Sequence, residues 1–184
     1  WKRVTGVQTC ALPICMSALP LWASLGADHA RGGYHEALGA DGAGVDLPRR
    51  MRVQARQAYT YAQAGLMGWP GPWRNAAQHA LDYLDAAYLR ADGLYRTLVA
   101  PDGDTLKDDA LIYDQAFALL ALASLYEIDR DEAYRRKAEA IIGALQSYRH
   151  AAAGFRENAA HPFQANAHMH LFEAALAWRE AGGG

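Results

Sequence analysis

The segment Asn166-Ala-His168-Met-His170-Leu-Phe-Glu173 holds the densest set of groups able to handle a proton or a polar ligand. On a helix, Asn166, His170 and Glu173 stand at i, i+4 and i+7 and share one face, while Met169, Phe172 and Leu176 make a second stripe beside it. His168 points elsewhere, because residues two apart on a helix face away from each other, and this argues against a His-x-His metal pair. His170 reads in two ways. As a core histidine it is satisfied by Glu173; as a functional one it uses the same carboxylate to fix its tautomer.

Two further faces carry groups that could meet a ligand. Arg52, Arg56, Tyr59 and Gln63 lie at i, i+4, i+7 and i+11. A solvated basic strip is the plainer reading, and it suits Arg49 and Arg50 better than Arg56, which Ala55, Ala58 and Tyr59 surround with residues suited to packing. Tyr113 and Phe117 share a face with Leu120, and Tyr113 either packs in the core or aims its hydroxyl at a ligand. Phosphate-binding loops, Ser-His-Asp spacing and dinucleotide fingerprints do not occur, and Gly32-Gly33 and Asp41-Gly42-Ala43-Gly44 read as turns.

The elements that must hold these groups repeat. Gly33-Tyr34-His35-Glu36, Gly93-Leu94-Tyr95-Arg96 and Gly154-Phe155-Arg156-Glu157 follow one another at spacings of 60 and 61, each with a short extended run and a long apolar helix behind it. Such a period marks stacked helical hairpins, none of which buries its own apolar face alone. Helices are expected at about 17–26, 48–67, 73–90, 108–127, 131–149 and 165–181. Pro48, Asp108-Asp109 and Asp129 to Asp131 supply start signals. Asp41-Gly42 and Asp102-Gly103 read as tips of β-hairpins. Superposing the helix starts places Tyr59, Phe117 and Phe172 at one position of the repeat.

The chain has 184 residues, 52% of them hydrophobic and 21% charged, which suits one sizeable core, and the six expected helices make it all-α. A net charge of −2 and 18 scattered basic residues give no electrostatic case for nucleic acid or an anionic membrane. The longest apolar run, Ala116 to Tyr126, is too short to span a bilayer. Val4 to Ile14 resembles a translated sequencing adapter, so Trp1 to Cys15 is set aside as an artefactual leader, and residues 16–184 are treated as the domain. Both cysteines, Cys10 and Cys15, fall inside that leader. The rest therefore offers no thiolate or Cys-based zinc ligand and fits a reducing cytoplasm. Leu19 to Leu25 is short and lacks a basic flank, so no secretory signal is expected.

From about Leu21 to Gly184 the chain resembles the N-terminal half of the N-acylglucosamine 2-epimerase family, which includes cellobiose 2-epimerases and mannose isomerases. The resemblance is carried by Gly32-Gly33-Tyr34-His35-Glu36, Arg52-Val-Gln-Ala-Arg56-Gln-Ala-Tyr59, Tyr113-Asp-Gln-Ala-Phe117 and Asn166-Ala-His-Met-His170-Leu-Phe-Glu173-Ala, in that order. It implies the first half of an (α/α)6 barrel with the sugar site at the end bearing the longer loops. It also implies that Arg56 and His170 match catalytic residues and that Tyr113, Asn166 and Glu173 line the sugar pocket. Two further family histidines lie in a second half, so this chain is expected to be a fragment, inactive alone and prone to self-associate.

The implied chemistry removes a proton beside a sugar carbonyl: a neutral histidine exchanges the proton, and Arg56 stabilises the enediolate. No metal or redox cofactor is required. Return of the proton to the neighbouring carbon gives aldose–ketose isomerisation, and unphosphorylated mannose is the favoured substrate. Return to the same carbon gives 2-epimerisation of N-acylglucosamine or cellobiose. A glycoside hydrolase on a similar barrel would need two opposed carboxylates; Asp108, Asp109 and Asp114 can be offered, but no clear pair presents itself. A non-catalytic array would bind a partner on its concave face. The expected ligand is a monosaccharide or disaccharide, and a homo-oligomer is compatible with the sequence.

Overall fold

Apolar residues at helical spacing build six helices in the computed structural model, which describes residues 13–157 and 162–182. Three contiguous pieces, Ile14–Ala18, Leu19–Leu21 and Trp22–Gly26, run on as α1. Then come α2 (Met51–Leu66), α3 (Trp73–Tyr83, continued by a wider turn over Leu84–Tyr88), α4 (Ile112–Asp129), α5 (Glu132–Leu145, closing in a 3-10 turn over Gln146–Tyr148) and α6 (Ala165–Glu180). All six expected helices are present among the described residues. α1 begins inside the segment set aside as a leader, and the Cys15 carbonyl accepts a hydrogen bond from Trp69 Nε1 at 3.0 Å. Residues 1–12, Cys10 among them, lie outside the described residues.

α2, α4 and α6 form an inner layer, with α4 packed between the other two. α3 lies behind α2 and α5 behind α4, while the Tyr61 hydroxyl of α2 reaches the Leu19 carbonyl of α1 at 3.0 Å. Because neighbours cover α4 on three sides, every residue from Asp114 to Tyr126 is buried. That explains its unbroken apolar run, where α5 keeps only an inward stripe of Ala138, Ile141 and Leu145. Arg130, at φ +53°, turns the chain from α4 into α5, whose N-cap Asp131 accepts from the Ala133 amide at 2.8 Å.

Each inner helix is fastened to the hairpin preceding it by one side chain. Gln54 accepts from the Tyr34 amide at 2.7 Å and donates to the Tyr34 carbonyl at 2.8 Å. Gln115 clasps Tyr95 in the same way at 2.9 and 2.7 Å. In the third unit His168 Nε2 accepts from the Phe155 amide at 2.9 Å, and its Nδ1–H donates to the Gln164 carbonyl at 2.8 Å. Tyr34, Tyr95 and Phe155 each bridge back to the residue just after an outer helix segment: Ala27, Leu89 and Arg149. A unit is therefore an outer helix, a hairpin and an inner helix, and the described residues hold three.

This register corrects the superposition of Tyr59, Phe117 and Phe172. Counted from Gln54, Gln115 and His168, they lie five, two and four places on. The equivalent residues two places on are Arg56, Phe117 and His170, and two places before are Arg52, Tyr113 and Asn166.

Two helix starts also move. α2 opens at Met51 rather than 48, because Arg49 and Arg50 are drawn into strand β1 (Arg49–Arg50), which pairs antiparallel with β2 (Leu98–Val99). β2 pairs in turn with β3 (Thr105–Lys107), and Asp102-Gly103 forms the tip with Gly103 at φ +94°. Asp108 and Asp109 do not start the fourth helix. Asp108 pairs in the loop with Arg90 and Arg96, and the first amide of α4, Ile112 N, donates instead to Glu157 Oε1 at 2.6 Å. The equivalent Met51 amide of α2 donates to the Thr97 carbonyl at 2.9 Å. In both cases the following unit caps the inner helix before it.

Candidate active site

The residues two places beyond each clasp come together at the loop end of the inner layer. The Arg56 guanidinium lies 4.1 Å from the centre of the Phe117 ring, and that ring lies 4.6 Å from the His170 ring. Tyr113 joins them from the turn before Phe117: its ring is edge-on to His170 at 5.2 Å, and its hydroxyl accepts from Arg56 Nη2 at 2.7 Å. The structure thus brings Arg56, Tyr113 and His170 into one cluster on the concave side. Each is set there by a clasp that fixes the rotation and register of its helix.

His170 Nδ1 meets Glu173 Oε2 at 2.8 Å, so the carboxylate selects the Nδ1–H tautomer and leaves Nε2 as the nitrogen that can take up a proton. The pair is not a core pair, because 19% of the His170 side chain and 52% of that of Glu173 remain exposed. Asn166 stands exposed on the first turn of α6, one turn before His170. His168 takes no part, both its ring nitrogens being committed to backbone.

From His170 and Glu173 an open groove of about 1060 Å³ runs down the inner layer past Tyr59, Gln63 and Ser124. Gln63 Nε2 donates to Ser124 Oγ at 3.1 Å across its floor. Burial, reinforced by the nearby Glu173 charge, raises the pKa of the Tyr59 phenol above its usual value, keeping it a neutral donor on this wall. Behind the cluster Asp114 is fully buried and binds Arg52 Nη1 through Oδ1 at 2.8 Å, while its Oδ2 has no hydrogen-bond partner. Burial pushes this carboxyl above its ordinary range against the opposing pull of Arg52. The Arg52 guanidinium in turn lies 5.5 Å from the Tyr113 ring centre.

Sequence reasoning placed Phe117 on the face of Tyr113 but missed that it carries both the arginine and the imidazole. Asp114, offered with Asp108 and Asp109 under the hydrolase alternative, lies buried beneath Arg52. The other two carboxylates proposed with it stay in the loop, Asp108 against arginines and Asp109 with its carbonyl accepting from Thr97 Oγ1 at 2.8 Å. The signal that locates Phe117 is the clasp register, in which Gln115, like Gln54, stands 20 residues after its hairpin aromatic, a spacing the third unit does not keep. Among the described residues no group of three His, Cys, Asp or Glu side chains could hold a metal ion, and no helix is long and apolar enough to cross a membrane.

The arrangement offers a proton acceptor, a carboxylate that orients it, and a cation with a phenol beside it. These are the parts that proton abstraction next to a carbonyl needs: a base for the carbon acid, and donors for the oxygen that becomes negative. The chain is 40% identical over 178 residues to a protein named mannose-6-phosphate isomerase from Rhizobium meliloti (strain 1021), an alignment covering 91% of this chain and 44% of that one. A cellobiose 2-epimerase structure from Spirochaeta thermophila superposes with a TM-score of 0.83 at 23% identity, over 95% of this chain and 48% of that one. A D-mannose isomerase structure superposes with a TM-score of 0.82 at 22% identity, over 94% and 47%. The chain therefore spans about half the length of the relatives it matches, and its fold is half of an (α/α)6 barrel. The N-acylglucosamine 2-epimerase (GlcNAc 2-epimerase) family profile matches residues 32–184, and the chain belongs to that family of sugar epimerases and isomerases.

Proposed function

We propose that this chain supplies half of the active site of a sugar isomerase that interconverts mannose and fructose through an enediolate. The observation that carries the reading is the cluster of Arg56, Tyr113 and His170 on the Phe117 ring, with Glu173 on the far nitrogen of the imidazole. His170 Nε2 takes or returns the proton at the carbon beside the carbonyl. Arg56 and the Tyr113 hydroxyl hold the carbonyl oxygen, whose charge grows as that proton leaves, and Asn166 and Glu173 bind sugar hydroxyls along the groove. The reaction moves protons only, so the residues need no cofactor.

Delivery of the proton to the neighbouring carbon makes the enzyme an isomerase, and delivery to the original carbon makes it a 2-epimerase of N-acylglucosamine or cellobiose. The ligand is a monosaccharide or disaccharide, met in a reducing cytoplasm. In the complete protein that carries this segment, His170→Ala should lower kcat on mannose by roughly 10² or more. Turnover within a factor of a few of the parent would return His170 to a structural role. Running mannose, mannose 6-phosphate, N-acetylglucosamine and cellobiose in deuterated water separates the outcomes by product and by the carbon that acquires the label.

A further inference from the structure

Asp114 is a charge for which the scaffold has no use of its own. It stands one place before the clasp in α4, where α2 has Val53 and α6 has Ala167, so in the other two units an apolar side chain meets everything that position requires. Asp114 is nevertheless fully buried, with one carboxylate oxygen on Arg52 Nη1 at 2.8 Å and the other without a hydrogen-bond partner. A buried ion pair at a site that accepts valine or alanine adds no stability that apolar packing could not supply with less desolvation. What the carboxylate does supply is a fixed Arg52.

Arginine is long and rich in rotamers, and this one is held by a partner that is itself immobile in the core of α4. The guanidinium so held lies 5.5 Å from the centre of the Tyr113 ring. One turn further along α2, Arg56 reaches the same residue at its other end, Nη2 donating to the hydroxyl at 2.7 Å. Two successive turns of α2 therefore grip Tyr113, one at the ring and one at the oxygen, and the ring stands edge-on to His170 at 5.2 Å. Left alone, guanidiniums at i and i+4 repel each other. Asp114 pins the one that has no hydrogen bond to the phenol.

We propose that Arg52 and Asp114 are positioning residues, an inference that rests on the isomerase reading of this site. Asp114 pins Arg52, and Arg52 holds the Tyr113 ring so that its hydroxyl meets the carbonyl oxygen while His170 Nε2 meets the carbon beside the carbonyl. Neither residue touches the sugar. Their effect on the reaction passes through the phenol, which makes it separable from a role in the core and from a role in binding.

The test is made in the complete protein that carries this segment, on whichever of mannose, mannose 6-phosphate, N-acetylglucosamine and cellobiose it converts. Arg52→Met alone strands a buried carboxylate, so the informative variant is the pair Arg52→Met, Asp114→Val, which removes both charges and installs the residue type that the first unit uses. It should melt no lower than the parent. Its KM should stay within about two-fold while kcat falls roughly ten-fold or more. In a Tyr113→Phe background the same two substitutions should add less than about two-fold to the loss, because the hydroxyl they position is gone. A pair variant with parental kcat, one that melts well below the parent, or losses in KM that multiply with those of Tyr113→Phe would each overturn the proposal: the first two leave the pair in the core, and the third puts Arg52 on the sugar. His170→Ala, run alongside, tells this failure from that of the site. If His170→Ala is crippled and the pair variant is not, positioning alone is refuted; if His170→Ala also turns over within a factor of a few of the parent, or none of the four sugars is converted, the isomerase reading falls and this inference with it.

Discussion

Replacing Gln115 by methionine isolates the interaction that sets the register of the inner layer. Gln115 is fully buried and gives Tyr95 a partner for its amide at 2.9 Å and for its carbonyl at 2.7 Å. Methionine has nearly the same volume, so the cavity contribution is small and the loss is polar. Tyr95 is itself buried, so both backbone groups are left without protein or water. Each orphaned group costs about 1–2 kcal/mol, which puts Gln115→Met at about 2–4 kcal/mol, a large share of the 5–15 kcal/mol typical of a domain. Gln115→His is the internal control, because His168 does this work in the third unit with a single acceptor. It should keep the bond from the Tyr95 amide, lose the one to the carbonyl, and cost about half as much. Urea unfolding followed by far-UV circular dichroism, at one protein concentration and with unchanged m-value, gives both numbers. A cost below about 1 kcal/mol for Gln115→Met, or a histidine variant as damaged as the methionine one, refutes the clasp as the element that holds the helix in register.

Three other perturbations follow from the same geometry. Asp28 is buried with Arg49, and although burial alone would raise its pKa, hydrogen bonds from Arg49 and from the Arg31 amide and side chain hold it well below the carboxylate range. Its stabilisation is therefore present above the unfolded value of about 4 and lost as the pH falls below it; Asp28→Asn should cost about 3–5 kcal/mol at neutral pH and a smaller amount in acid, read from Tm at both. Asp114 shifts the other way, so the stability of the parent relative to Asp114→Asn should decline as the pH rises from about 4 to 7, and a difference that grows with pH would contradict the assigned burial. Gly33 and Gly93 both have positive φ, but a Cβ on Gly33 would stand 2.3 Å from the Tyr83 ring whereas one on Gly93 meets nothing closer than 4.0 Å. Gly93→Ala should cost only the left-handed backbone penalty of about 1–2 kcal/mol, with Gly33→Ala costing clearly more by thermal melting.

The sixty-residue period was legible because glycine at a positive φ and an apolar helix are both local signals. Gly33, Gly93 and Gly154 have φ of 67°, 85° and 68°, and each is followed by an inner helix. The register within that period was not legible, because the clasp changes both its residue and its spacing. Gln54 and Gln115 lie 20 residues after their aromatic partners, but His168 lies only 13 after Phe155. Superposing the aromatics therefore shifts each unit by a different amount. Helix starts failed for a related reason. Asp108-Asp109 has the look of a cap, yet the group that serves the first amide of α4 is Glu157, 45 residues away, and no local pattern announces it. Arg56, Tyr113 and His170 were read from their motifs, whereas the part played by Phe117 and the burial of Asp114 depend on neighbouring helices that only the fold brings close.

That separation explains how a repeated scaffold acquires a site that is not repeated. The clasp faces backbone in every unit, and its requirements are the same each time: accept from one amide, hold the helix at one rotation. Whatever meets them, glutamine or histidine, carries the next residue but one toward the axis. At that position a neighbour across the groove is available, but no backbone group has to be satisfied, so the side chain is free to be a guanidinium in α2, a phenyl ring in α4 and an imidazole in α6. Phe117 is the one of the three that is buried, and it lies between the other two. An apolar ring there keeps the cation and the histidine on one surface without placing a charge between them, and lends the guanidinium its π face, a contact worth about 0.5–1 kcal/mol where water still reaches it. The proposed chemistry thus occupies the register position that the scaffold constrains least, and its geometry is inherited from the position the scaffold constrains most.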